Sequence, residues 1–225
     1  MKLATQMIRR VAVSALVAST LVAGVVKAAT VNVDNTNISN GFMNVFELPS
    51  NGGGYVFGSG WGLADLCANW NGSAWVLTPN TIGDPNPFWY TPSGGPGAAG
   101  NKTMEANLYA QAAAGAYAGQ TVTFIGTVSS NTLAASHQAY IFVRDWPSDF
   151  SSVNQTIIPM PAGGNFSVSL ATINDPSRIV QWGFQVKGPC VWSTDVAPYG
   201  SVVIAPQAAT PASKSTWSRV KSLYR

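Results

Sequence analysis

The chain has 225 residues, of which 46% are hydrophobic and only 9% are charged, and its formal net charge is +3. Residues 29–207 hold four of the basic residues and all nine acidic ones, which leaves this part with a formal net charge of −5. Because a nucleic-acid-binding surface needs clustered Lys and Arg, this charge distribution argues against nucleic acid as a partner. A polar surface with little ionic charge favours a neutral one.

The first 28 residues have the pattern of a secretory signal peptide. A basic start with Lys2, Arg9 and Arg10 is followed by an uncharged apolar run over 11–26. Small residues at the positions that a signal peptidase recognises then place the predicted cleavage after Ala28. We therefore predict a protein located outside the cell or at its surface. The remaining sequence has no apolar stretch as long as a membrane span, so no span is expected after signal cleavage.

Alternation of apolar and polar residues recurs along residues 29–205. Phe166, Val168 and Leu170 share one face of their segment, which is typical of a strand with one buried side. The same reasoning predicts about ten strands, at 42–48, 55–57, 75–78, 103–110, 121–128, 139–145, 155–159, 165–170, 180–186 and 201–204. With little helix between them, these strands predict one all-β domain, an antiparallel β-sandwich or jelly roll.

The composition changes after this domain. Residues 206–225 are interpreted as a linker followed by a short basic and aromatic peptide over 217–225. Apolar residues of that peptide follow helical spacing, but the peptide is too short to form a stable helix alone. It is either a frayed tail or a docking or sorting signal.

Cys67 and Cys190 are the only two cysteines. In an exported chain, an even number of cysteines predicts a disulfide, here one that ties an early segment to a late one. Two buried free thiols are the alternative.

Catalytic residues are sparse. His137 is the only histidine, and no Gly-x-Ser-x-Gly motif accompanies it, so neither a catalytic triad nor a catalytic zinc site is expected. A glycoside hydrolase needs only two carboxylates and remains an alternative.

Calcium prefers oxygen ligands. Three acidic residues are weak candidates for calcium ligands, because they lie where the first and last strands are expected to meet: Asp34, Glu47 and Asp195.

Aromatic residues in loops are the most distinctive feature. Phe88, Trp89 and Tyr90 lie within a stretch rich in glycine and proline, residues 83–100. If this segment is extended, alternate rings point in opposite directions, so one set packs into the sandwich and the other faces outward. Trp89 is the stronger candidate for ligand contact, ahead of Tyr90. Loop rings beside polar groups suit sugar binding, and the predicted site comprises Trp89, Tyr90, Trp70, Trp192, Trp61, Asp65 and Asn71.

Several short motifs resemble the jelly-roll carbohydrate-binding modules of the galactose-binding-like superfamily. They are Asn40-Gly41-Phe42, "GNKTMEANLYAQ", "AGQTVTFIGTV" and the closing "YGSVVI". The resemblance implies polysaccharide binding without catalysis. Family members usually carry an Asp pair in the last strand, where this chain has Gly200 and Ser201, so a calcium ligand there is in doubt.

The sequence therefore predicts a secreted, non-catalytic β-sandwich that binds a neutral polysaccharide or glycan, with calcium as its one possible cofactor. A structural or self-assembling surface protein is the first alternative, and a glycoside hydrolase is the second.

Overall fold

A computed structural model of the protein describes residues 27–209. Most of the predicted signal peptide, residues 1–28, and the basic C-terminal peptide lie outside these residues. Residues 27–209 contain no helix with the length and apolarity needed to cross a membrane.

The described residues form strands almost throughout, connected by turns and three short 3-10 segments. The predicted all-β fold, an antiparallel β-sandwich, is confirmed. All ten predicted strands are present, and the structure adds β1 (Ala28–Asn32), β4 (Ala68–Trp70), β6 (Tyr90–Thr91) and β7 (Ala99–Gly100). These four have between two and five residues each.

The first sheet is built around β9 (Thr121–Asn131). On one edge β9 pairs with β12 (Gly164–Ala171), and on the other with both β1 and β14 (Val202–Ala205). The sheet continues through β5 (Trp75–Leu77) to β4. The pairing of β1 with β9 is parallel, whereas the other strand pairs of this sheet are antiparallel.

The second sheet is fully antiparallel and carries the site described below. Its six strands, in spatial order, are β11 (Asn154–Pro159), β10 (Gln138–Trp146), β13 (Ile179–Pro189), β8 (Lys102–Gln111), β2 (Ile38–Glu47) and β3 (Tyr55–Gly60). Strands β8 and β13 lie at its centre and are the most distant from an exposed edge.

Aromatic rings from the two sheets meet in the core. Phe124 and Phe166 of the first sheet lie 5.3 Å apart between ring centroids, and Phe184 of the second sheet lies 5.4 Å from Phe124. All three rings are buried. Packed aromatic pairs of this kind add to the free energy gained by burying apolar area, so this cluster joins the two sheets.

The predicted disulfide between Cys67 and Cys190 is absent, because both residues are free thiols in the structure. The sulfur of Cys67 lies 3.4 Å from the hydroxyl of Thr81, and the Cys190 thiol donates to the hydroxyl of Tyr90 at 3.1 Å. Each thiol thus has its own polar partner. The two chain segments are instead joined through the backbone, where Val191 donates to the carbonyl of Asn80 at 2.9 Å.

Candidate functional site

Tyr90 belongs to the core and not to an exposed binding surface. Its side chain is completely buried, and its hydroxyl donates to the carbonyl of Ile82 at 2.7 Å while accepting from the Cys190 thiol. Burial raises the pKa of Tyr90, so the phenol stays neutral. The prediction that Tyr90 contacts a ligand is therefore wrong: residues 86–90 form a turn that inserts this ring into the sandwich.

Trp89 is half-buried and packs against the rings on either side of it. Its ring is edge-on to Phe88, with centroids 4.7 Å apart, and to Phe57, with centroids 6.2 Å apart. Phe88 is the exposed ring of this loop, and the ammonium of Lys102 lies 4.4 Å from its centroid. The expected strict alternation fails because this segment is a turn, and ligand contact by Trp89 stays a prediction.

The other predicted loop residues lie in different places. Trp70 packs edge-on against Trp75 on the β4–β5 hairpin, where the side chain of Asn71 accepts from the backbone of Ser73 and Ala74. Trp192 packs instead against the buried Tyr90. Without a disulfide, nothing draws Trp70 and Trp192 into one cluster.

Trp61 and Asp65 do come together. They line a shallow pocket of about 480 Å³ that also includes Thr81 and Ile82. The indole of Trp61 donates to the hydroxyl of Ser59 at 2.8 Å, and Asp65 is exposed. This pocket keeps one pair of the predicted residues together, beside the end of strand β3.

The three weak calcium candidates each have a separate partner. Asp34 accepts hydrogen bonds from Thr36 and Asn37 within its own turn, and these bonds lower its pKa against the opposing effect of burial. Glu47 pairs with Lys102 at 3.1 Å, and Asp195 accepts from the backbone of Gly97 at 2.6 Å. Within residues 27–209 no three acidic, histidine or cysteine side chains gather in a way that would hold a metal ion.

His137 is a buried structural residue. Its Nε2 lies 3.0 Å from the carbonyl of Pro189, and its Nδ1 lies 3.0 Å from the hydroxyl of Ser136. Since a carbonyl can only accept, Nε2 carries the proton and Nδ1 accepts from Ser136. Burial lowers the pKa of His137, which keeps the ring neutral. The Nε2 partner is a backbone carbonyl, at the place where a catalytic triad has a carboxylate.

A groove of about 550 Å³ that suits a ligand lies on the outer face of the second sheet. We call it the sheet-face groove. Outward positions of five neighbouring strands line most of it, and Phe150 and Val153 of the β10–β11 connection complete its lining. Its polar side chains include Asn44, Glu105, Asn107, Gln111, Gln155 and Gln181.

Strand register sets these polar groups in a row across the sheet. Gln111 of β8 is opposite Gln181 of β13, which is opposite Arg144 of β10, and Arg144 is in turn opposite Gln155 of β11. Neighbouring strands are separated by about 4.8 Å, so the row presents a polar group at each step across the groove.

Hydrogen bonds fix the orientation of the groove side chains. Asn107 is buried, and its Oδ1 accepts from both Gln185 and Arg144 at 2.9 Å. Gln181 accepts from the indole of Trp146 at 2.9 Å and donates to Gln111 at 2.8 Å. Because the network connects neighbouring strands, the side chains are ordered before any ligand arrives.

Aromatic rings border the polar row. Tyr109 and Phe42 line one part of the groove, and Trp146 and Phe150 line another. The Trp146 and Phe150 rings pack with centroids 5.8 Å apart, and the Phe150 side chain is 49% exposed. The groove therefore combines flat apolar faces with fixed amide donors and acceptors, the combination expected of a site for small polar rings.

Glycine at position 183 lets two central strands of the second sheet approach closely. Gly183 lies opposite both Tyr109 and Phe142 in the sheet. A Cβ added at Gly183 would lie 2.0 Å from the carbonyl oxygen of Leu108 and 2.7 Å from the Cα of Tyr109, both backbone atoms that cannot move aside. This position therefore permits the close approach of β8 and β13 at the bottom of the groove.

Sequence reasoning missed this groove because it searched the loops for exposed rings. The pattern that could have revealed the groove is the polar face of β8. Along this strand, core residues alternate with four groove-lining residues: Glu105, Asn107, Tyr109 and Gln111. The segment is also one of the motifs on which the family resemblance depends. What the sequence did not show was which other strands would lie beside β8.

Comparison with solved structures finds β-sandwich carbohydrate-binding modules, all at low similarity. The CBM22-2 xylan-binding domain of Xyn10C from Paenibacillus barcinonensis is 9% identical, with a TM-score of 0.28, over 62% of this chain and 88% of that one. A structure described as carbohydrate-binding modules from the β-sandwich superfamily is 14% identical, with a TM-score of 0.32, over 76% of this chain and 75% of that one.

A third similar structure contains the CBM22-1–GH10 modules of Clostridium thermocellum endo-1,4-β-D-xylanase 10B in complex with xylohexaose. It is 11% identical, with a TM-score of 0.26, over 66% of this chain and 27% of that one. No protein-family model and no curated protein matches the chain. The three structures contain carbohydrate-binding modules, the class of module that the sequence motifs resemble.

Proposed function

We propose that the protein binds polysaccharide chains in the sheet-face groove, outside the cell and without catalysis. The observation that supports this most directly is the fixed row of amides, bordered by Tyr109 and Trp146, across an open groove of about 550 Å³. Amide groups can donate to and accept from sugar hydroxyls. The flat C–H face of a pyranose ring packs on an aromatic ring.

The fixed network favours binding by reducing its entropic cost. Ordering a long side chain on association costs about 0.5–1.5 kcal/mol. In the free protein Asn107, Gln181 and Gln185 are already buried and hydrogen-bonded. A ligand that binds here gains contacts without having to order these groups.

The absence of catalysis is part of the proposal. Glycoside hydrolysis needs a pair of carboxylates facing the scissile bond. Among the groove-lining residues the acidic member is Glu105, and it already interacts with Asn44 at 3.1 Å and with Lys187 at 3.3 Å. A retained polymer should therefore be recovered uncut.

A self-associating structural protein is the second candidate function. The β10–β11 connection and the adjoining edge strand carry exposed apolar side chains: Phe150, Val153 and Ile157. Exposed apolar side chains that lie close together often mark contact surfaces between proteins. This candidate predicts oligomers that form without a ligand.

The test is affinity electrophoresis of the full-length protein in gels containing a panel of soluble polysaccharides, with light scattering in parallel. We expect one polymer to retard the wild-type protein and the Tyr109→Ala variant to bind it about tenfold more weakly. Phe88→Ala removes an exposed ring outside the groove and is the matched control, expected to bind within about twofold of wild type. Failure of every polymer to retard the protein would overturn the proposal, and large particles would then favour self-association.

A further inference from the structure

Arg144 occupies the polar row of the groove and is held rigidly. Its guanidinium lies over the buried ring of Phe142, with Cζ 3.8 Å from the ring centroid. Its Nε donates to Gln155 at 3.0 Å and its Nη1 donates to Asn107 at 2.9 Å. Hydrogen bonds to neighbours on both sides and stacking on the ring therefore fix the plane of the guanidinium.

Within residues 27–209 this cation makes no direct ion pair. Against the lowering effect of burial, the nearby carboxylate of Glu105 raises the pKa of Arg144, but that carboxylate is itself paired with Lys187 at 3.3 Å. The ion pairs in this part of the chain are Lys102–Glu47, Arg178–Asp145 and Lys187–Glu105, and Arg144 takes part in none of them. Its bonds to Asn107 and Gln155 are to neutral amides. Burial lowers the pKa of Arg144 to about 10, so the group is desolvated but still positive at neutral pH.

A partly desolvated charge whose nearby carboxylate is already paired with another cation remains incompletely compensated. A guanidinium has five N–H donors, and the two bonds to Gln155 and Asn107 leave donors available for an added group. A planar fork of this kind is suited to anionic oxygens, which it can bind through two parallel hydrogen bonds. An anion in the groove would therefore satisfy these donors and add to the compensation of the partly buried charge.

We propose that the polysaccharide bound in the groove carries anionic substituents, either uronate carboxylates or sulfate esters, and that Arg144 binds them. This inference depends on the proposed function. Amides make up most of the polar row, so the rest of the ligand is neutral and hydroxylated. Arg144 selects the position of the charged unit along that chain.

General electrostatic attraction does not account for such a preference. Residues 29–207 have a formal net charge of −5, which would repel an anionic polymer at long range. At physiological ionic strength charges separated by more than about 8 Å are largely screened. Any preference for an anionic polymer must therefore come from a short-range contact, and Arg144 is the cation placed in the groove to make it.

The test uses matched polymers that differ only in charge. Affinity electrophoresis of the full-length protein would compare glucuronoxylan, polygalacturonate and alginate with their carboxyl-reduced forms, and sulfated galactan with its desulfated form. We expect at least one anionic polymer to bind about tenfold more tightly than its uncharged counterpart. The carboxylate and sulfate pairs distinguish the two kinds of anion.

Two substitutions separate the charge from the structural role of Arg144. Arg144→Gln removes the charge and should abolish the preference for the anionic polymer. Arg144→Lys retains the charge but loses the fork that bonds Asn107 and Gln155, so it should keep part of the preference. Thermal unfolding of both variants shows whether each is folded.

The outcomes separate this inference from the proposed function. Equal retention of charged and uncharged forms overturns the inference and leaves polysaccharide binding intact. The same is true if Arg144→Gln keeps the full preference, or if both variants lose it equally. Retention of no polymer at all overturns both proposals.

Discussion

The Nε of Arg178 donates to Oδ1 of Asp145 at 2.8 Å, and the carboxylate that it contacts is completely buried. The same arginine donates through Nη2 to the Asp145 backbone carbonyl at 2.7 Å, while Oδ2 of Asp145 accepts from the backbone of Ile173 at 2.8 Å. The aspartate thus connects β10 to the loop before β13. Strands β10 and β13 both contribute side chains to the groove. This buried ion pair therefore helps to hold the two strands in the positions that the groove requires.

Arg178→Met should destabilise the protein strongly. It leaves the Asp145 carboxylate buried without its cation, and losing one partner of a buried pair costs about 3–5 kcal/mol. Urea unfolding would measure the loss. The matched control is Lys187→Met, which breaks the more exposed Lys187–Glu105 pair, where the lysine side chain is 40% exposed. That loss should be about 0–1 kcal/mol.

A double variant checks the reason for this effect. Asp145→Asn combined with Arg178→Met removes both charges, so its cost should be smaller than the sum of the two single losses. Strictly additive losses would show that the two side chains contribute independently and that the buried charge is not the cause.

His137 should make the stability of the protein depend on pH. The pKa of the folded residue is lowered from 6.5 by burial, so below about pH 6.5 the unfolded chain takes up a proton that the folded ring resists. The stability present above pH 6.5 is therefore lost as the pH falls through the folded pKa. His137→Gln should remove this part of the pH dependence.

The measurement is the free energy of unfolding in urea at pH 8 and pH 5, for wild type and for His137→Gln. Carboxylates titrate in both proteins, so the difference between the two pH slopes isolates the histidine. Identical slopes would mean that His137 is protonated as easily in the folded protein as in the unfolded chain.

The two cysteines should behave as free thiols with unequal reactivity. Burial raises the pKa of the Cys190 thiol to about 11, and this side chain is 1% exposed, whereas Cys67 is only partly buried. Since the thiolate is the reactive form, iodoacetamide at pH 8 should modify Cys67 well before Cys190. Peptide mass spectrometry would report the order.

A thiol assay in denaturant without reductant provides the control for this prediction. It should find two thiols per chain. A value near zero would restore the disulfide that the sequence suggested and would contradict the free thiols of the structure.

The sequence predicted the fold well because the strands follow a local pattern. Period-two alternation identified ten strands, among them all those with six residues or more, and β12 has every second residue buried, as expected for a strand with one solvent-facing side. Residues 112–118, which include Gly115 at positive φ, connect β8 to β9. These features depend on residues that are close in sequence.

The site was predicted less well because it depends on pairing between distant segments. Gln111, Gln181 and Gln155 form one row only through the register of three strand pairs, in which partners are separated by up to 70 residues. Tyr90 was misplaced for a related reason, since its hydroxyl bonds to Cys190 and Val191 about a hundred residues away. Ring exposure in a loop depends on such contacts, and a local pattern does not report them.

The alternation along β8 assigns neighbouring residues to two different roles, packing in the core and lining the groove. Met104, Ala106 and Leu108 face the core, whereas Asn107 and Tyr109 face the groove. Residues that hold the sandwich together and residues that select a ligand are therefore interleaved one by one on the same strand. Substitutions at every second position of this strand can thus change specificity while the intervening positions preserve the core.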